Sequence, residues 1–143
     1  MASLVYNDYK ARALGDGTMV DLDGDTIKIA LLTSSYTPDA DAHDFFDDVS
    51  ANEVAASGTY AAGGATLTVT LTQDNTDDEG VFDAADVSFT SFTGTARYAV
   101  VYKSTGVAST SPLICLIDFG SNQTATNGIF TITFAAEGIL NLN

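Results

Sequence analysis

The sequence predicts a mostly β fold, an antiparallel β-sandwich or partly closed barrel of about seven strands with one or two short helices in its N-terminal third. Three observations carry that prediction. Ala65, Leu67, Val69 and Leu71 alternate strictly with Thr66, Thr68, Thr70 and Thr72, the period of a strand with one buried face. Two later runs, "YAVVY" and "LICLI", are apolar without alternation, as in strands covered on both faces. Gly, Asn, Ser or Pro punctuates the chain about every eight to twelve residues, which suits short strands joined by turns.

In chain order, "SLVYNDYKARALGDG" places Leu4, Val5, Tyr9 and Ala13 at helical spacing, with Ser3 as a candidate N-cap and Gly15 and Gly17 as a stop. Residues 1–17 are therefore expected to form a short helix or arm. In "TIKIALLTS", Ile27, Ile29 and Leu31 share one face of a strand. "SYTPDADAHDFFDDVSANEV" breaks at Pro38 and reads as a loop followed by a short helix. There Phe45, Phe46 and Val49 lie within one turn and bury one face, while Asp41, Asp44, Asp47 and Asp48 face water. After the alternating strand and the acidic turn "DNTDDEG", the runs "VFDAADVSFTSF", "ARYAVVYK", "PLICLIDFG" and "GIFTITFAAEGILNL" each read as strand.

At 143 residues the chain fits one domain, 1–143, with a core of its own. Nearly half the residues are hydrophobic and the mean hydropathy is slightly positive, so the chain folds. Nineteen acids oppose five bases (Lys10, Arg12, Lys28, Arg97, Lys103), a net charge of -14. Nucleic-acid binding needs clustered cations that this chain lacks. Anionic membranes and like copies are repelled too, so self-assembly must use apolar or strand-pairing contacts unless salt screens the charge. The N-terminus lacks the basic start and apolar run of a secretory signal, and folding in a cytoplasm is expected.

Chemistry has few candidates. His43 is the single histidine and Cys115 the single cysteine, so no intrachain disulfide and no ordinary zinc site can be built. Cys115 sits in an apolar run and reads as a buried thiol. A hydrolase would need His43 as base, and no nucleophile elbow accompanies it. "DLDGDT" resembles the opening of a calcium loop, but Gly24 falls at loop position 4 and Leu32 at position 12, where an EF-hand needs glycine at 6 and glutamate at 12. It reads as an acidic turn. No cofactor, metal or catalytic residue is expected, and the chain reads as a non-enzyme.

The pieces "KIALLTSSYTPD", "AHDFF", "YAAGG", "RYAVVYK" and "AEGIL", within a pattern spanning Tyr6 to Leu142, resemble a family of small virion proteins of tailed bacteriophages. These are often assigned to the head as decoration (cement) proteins. The resemblance implies a structural role in the virion, with the major capsid protein and copies of itself as partners, a trimer among the possible oligomers. It implies no catalytic residue. The candidate contact is the N-terminal segment, because Tyr6 and Tyr9 read as exposed aromatics beside two of the five bases, Lys10 and Arg12. Phe45 and Phe46 are the candidate structural anchors of the acidic helix, with His43 facing solvent or a neighbour. Tail-tube, head-to-tail connector and receptor-binding fibre roles are the alternatives. A ring-forming tail subunit would carry a long hairpin, for which the loops are too short apart from residues 34–60.

Overall fold

The computed structural model describes residues 1–143. Its elements are β1 (Leu4–Val5), α1 (Asn7–Ala13), β2 (Ile27–Leu32), α2 (Asp47–Ser50), β3 (Ala65–Thr66), β4 (Val69–Asp74), β5 (Glu79–Ala84), β6 (Val87–Lys103), a 3₁₀ turn (Ala108–Thr110), β7 (Leu113–Ile132) and β8 (Leu140–Leu142). A five-stranded sheet runs β1-β7-β6-β2-β3 and a three-stranded sheet runs β4-β5-β8, every pairing antiparallel. The expected sandwich-like, mostly β fold is what forms.

Two apolar cores explain the two kinds of strand pattern. Between the sheets, Ile27, Ile29 and Leu31 of β2 meet Ala99, Val101, Cys115 and Ile117 of the large sheet and Leu67, Phe82 and Ile139 from the small-sheet side. On the other face of the large sheet, Ala30, Leu32, Val100, Tyr102, Leu113 and Leu116 pack against Tyr6, Tyr36, Phe46 and Val49. The segment from Thr33 to Asn52 thus lies as a cover over the sheet, making a third layer, and the chain then passes the edge of β2 so that Val54 joins the core between the sheets. With both faces buried, "YAVVY" in β6 and "LICLI" in β7 have no polar side to display.

The alternating run Ala65–Thr72 is not one strand. Its first part, β3, pairs with β2 in the large sheet; its second, β4, pairs with β5 in the small one. The chain changes sheets at Leu67–Thr68, where Leu67 N–H still donates to Ile27 and the Thr68 carbonyl already accepts from Ala85. Alternation survives because the side-chain period continues through the corner. Leu71 is nevertheless 46% exposed, lining an open apolar groove with Val81 and Leu142. Gly64 makes the entry to β3 possible: its φ is +74° and a Cβ would sit 1.8 Å from the Ile29 carbonyl oxygen, so only glycine fits.

Four expected strands also regroup. "VFDAADVSFTSF" divides at Ala85–Asp86 between β5 and β6, and β6 then continues through "ARYAVVYK" for 17 residues. "PLICLIDFG" and "GIFTI" join into β7, 20 residues long. The intervening "SNQTATNG" has turn composition, yet Gln123, Thr124 and Ala125 pair with Ala96, Thr95 and Gly94. Irregularities in the β6–β7 register accompany Ser91 and Asn127, both at positive φ, and Gly120. Bulges thus absorb residues that would otherwise end a strand. The result is a long hairpin whose distal half, Val87–Ala96 with Gln123–Ile132, extends beyond the end of β2.

The N-terminal helix is shorter than the spacing suggests. Leu4 and Val5 pair with Leu116 and Cys115 as an edge strand, and Tyr6 is the N-cap residue of α1. Ser3 is not a cap; its Oγ accepts from the Asp118 N–H at 2.9 Å.

Candidate functional site

The N-terminal segment cannot present its aromatics. Tyr6 is 0% exposed and Tyr9 8%, which corrects the expectation that both lie on the surface. Arg12 is occupied as well: its Nε donates to Asp8 at 2.5 Å, its Nη1 to the Thr18 carbonyl at 2.9 Å, and its guanidinium lies 5.5 Å from the Phe45 ring centre. Of the four proposed contact residues only Lys10 is openly exposed, its Nζ donating to Asn7 Oδ1 at 2.9 Å.

The two phenylalanines part company. Phe46 is buried and stacks on Tyr102 with centroids 4.2 Å apart and planes 13° from parallel. Phe45 is half-buried beneath Arg12. Phe46 is therefore the anchor, and Phe45 half of a cation–π contact worth about 0.5–1 kcal/mol. Asp47 and Asp48 face water as expected, and Asp48 also accepts from the N–H groups of Asp44 and Phe45, satisfying donors at the start of the α2 turn. Asp44 is half-buried, and burial together with the charges of Asp8 and Asp48 pushes its carboxyl up.

His43 does not simply face solvent. Its Nδ1 lies 2.9 Å from the Tyr36 hydroxyl, which lies 3.0 Å from that of Tyr6. Tyr6 has no other side-chain partner, so the order that satisfies every hydroxyl runs Tyr6 O–H to Tyr36, then Tyr36 O–H to His43 Nδ1. That order requires the ring proton on Nε2. Burial, then for Tyr6 its bond to Tyr36, pushes the Tyr6 hydroxyl up, and burial pushes Tyr36 up too; both phenols stay protonated. The chain of three ties β1's end, the cover and the sheet together.

Cys115 lies fully buried between the sheets, and burial pushes its thiol up to about 12. His43 packs on Tyr36 on the opposite face of the large sheet, so a His43–Cys115 dyad cannot assemble. The acidic turns fold back on their own backbone: Asp21 Oδ1 accepts from Asp23 and Gly24, Asp25 pairs with Lys103 at 2.8 Å, and Asp74 Oδ1 accepts from Thr76 and Asp77. No group of three His, Cys, Asp or Glu side chains is placed to hold a metal ion.

Two of the surface grooves bear on the proposed contact segment and on the hairpin. One, of about 360 Å³, is lined by Arg12, Phe45, Lys103, Thr105 and Thr110, but both cations already have carboxylate partners. The other, of about 370 Å³, runs beside the distal half of β7 and is lined by Met1, Phe119, Ala125, Ile129, Phe130 and Ile132. No charged residue occurs in Val54–Gln73, Val87–Ala96 or Phe119–Ala136. The first of these reaches the hairpin where Thr59 N–H donates to the Thr90 carbonyl and Ser57 Oγ accepts from Thr93. The distal hairpin is thus an uncharged region of a protein with net charge -14. Its signal was present in the spacing of charges, which a count of charges alone conceals.

No protein-family model, curated protein or solved structure matches the chain.

Proposed function

We propose that this protein is a non-enzymatic structural component of a tailed-phage virion, a decoration protein that binds the outside of the major capsid protein lattice. The observation that supports this reading best is where the reactive groups lie. His43 is bonded to Tyr36, Cys115 is sealed between the sheets, and Asp21, Asp25 and Asp74 hold their own turns. What the molecule offers outward is surface: strongly acidic around the cover and turns, uncharged along the distal hairpin. Such a domain stays soluble before assembly and does not adhere to DNA. A decoration protein acts by linkage, stabilising the shell because it binds the expanded lattice more tightly than the unexpanded one.

The β6–β7 hairpin favours a second reading, a ring-forming tail or connector subunit, since its strands of 17 and 20 residues supply the long hairpin such a subunit uses. One experiment separates the two. Purified protein is mixed with expanded capsids lacking it and, separately, with tails, and bound copies are counted by density. Saturable binding to the capsid lattice with a raised melting temperature of the shell is expected. Binding at tails or the portal vertex alone would replace the decoration reading with the tail reading.

A further inference from the structure

The geometry points to the open edge of β7, Gly128–Ile132, as a strand-pairing surface for a second copy of this chain. On one side these residues pair with β6; on the other they have no backbone partner, because β1 reaches only Cys115 and Leu116. In an antiparallel strand alternate N–H and C=O groups point away from the paired neighbour, so this edge presents free donors and acceptors over about 17 Å. Proteins ordinarily guard such an edge with charge, proline or a covering segment. Here "GIFTIT", Gly128–Thr133, has neither charge nor proline, and Ile129 stands 68% exposed. The groove lined by Met1, Phe119 and Ile129 runs alongside, and an added strand needs just such a recess for its alternate side chains.

Charge selects the occupant. Two molecules of net charge -14 repel each other over most of their surface, and contact costs least where neither carries charge. No charged side chain lines the groove, so it offers no acidic or basic side chain with which to select a charged peptide. The other open edges suit self-pairing less: β1 and β3 have two residues each, and β8 has three. β4 ends in Asp74 and has Asp83 and Glu79 directly across on β5, so two copies joined there would stack acids. The cross-strand neighbours of β7 are Val87, Ser88 and Phe89. A two-fold axis near Phe130 sets Ile129 of one copy against Thr131 of the other, the same patch serving both sides.

This surface does not rest on the virion reading, and sedimentation in solution and capsid binding fail separately. The test is sedimentation velocity of the full chain across a concentration series, at low ionic strength and at about 1 M salt, where the screening length falls to about 3 Å. A monomer–dimer equilibrium that tightens with salt is expected. Ile129→Lys, at an exposed position and with its fold checked by circular dichroism, is expected to weaken it at least about tenfold, a loss of about 1.4 kcal/mol. Should that variant not fold, Thr131→Lys tests the same edge from another exposed site. A monomer at both salt concentrations, a dimer that salt dissociates, or a dimer unchanged in the folded lysine variant would each overturn the assignment.

Discussion

The cover over the large sheet and the distal half of the β6–β7 hairpin are both β-sheet accessories, yet they are held by opposite means. Between Asp39 and Asp48 the cover carries five aspartates and still stays down, because Phe46, Val49 and Tyr36 insert into the second core and the Tyr6–Tyr36–His43 chain fastens its edge. The distal hairpin has no charge to solvate it. It is held by strand pairing, by the aromatic contacts of Phe92 with Phe130 and Tyr60, and by the exposed hydroxyl pairs Ser88–Thr131 and Thr95–Thr124. A few inserted side chains can hold down a strongly repulsive segment, whereas a neutral one depends on its ladder and leaves that ladder open to others.

The contrast can be broken most forcefully at Phe46. Phe46→Ala is expected to cost about 3–5 kcal/mol, read from urea unfolding, whereas Phe45→Ala costs about 1 kcal/mol or less. Equal losses would mean that the cover has no single anchor. Next comes Tyr36→Phe, which leaves the buried Tyr6 hydroxyl without its partner and is expected to cost about 1–3 kcal/mol. A loss confined to Tyr36→Phe, with His43→Ala milder, would place the fastening at the buried end of the chain.

Where the hairpin emerges from the sheet, Arg97 meets Asp118 at 2.7 Å in a two-pronged pair. The bond from Arg97, then that from the Gly120 N–H, holds the Asp118 carboxyl below its usual range. A depressed folded value means the stabilisation is present above the unfolded pKa of about 3.9 and disappears as pH falls through the folded one. Asp118→Asn is therefore expected to lower stability by about 0.5–1 kcal/mol at neutral pH, a discount for its exposure included, and to make no difference in strong acid. Asp44 runs the other way. Its raised carboxyl makes ionisation in the folded state unfavourable, so Asp44→Asn is expected to gain up to about 0.5 kcal/mol at neutral pH, and the gain fades as pH drops through that carboxyl's range. The smallest effect belongs to the hairpin: Thr124→Lys, adding charge to the neutral surface, is expected to change monomer stability by no more than about 0.5 kcal/mol. A larger loss by thermal melting would show that the hydroxyl pairs carry more than their exposure suggests.

Much of this architecture is legible in local pattern. Unalternating "YAVVY" and "LICLI" marked the doubly covered strands, and Gly15 and Gly17, both at positive φ, marked the end of α1. What local pattern misses is capture by distant partners. Leu4 and Val5 fit a helical spacing, but in the fold they pair with Leu116 and Cys115 at the edge of β7 instead. Tyr6 reads as exposed because the residue that buries its hydroxyl, Tyr36, lies 30 positions away. "SNQTATNG" reads as a turn because composition does not register a bulged strand held by its neighbour. Of the proposed contact residues, the tyrosines belong to the core, and the better surface emerges only when gaps between charges are laid onto the sheet.

The pairing of Leu4 with Leu116 also fixes an order of events during synthesis. At about 5–20 residues per second, the first strand waits roughly 6–22 s for the ribosome to make its partner. Over that interval Tyr6 has no pocket to enter, since Leu113 and Leu116 help build it. The second core thus closes late in translation, and the cover, although made early, can lock only when the second half of the chain arrives.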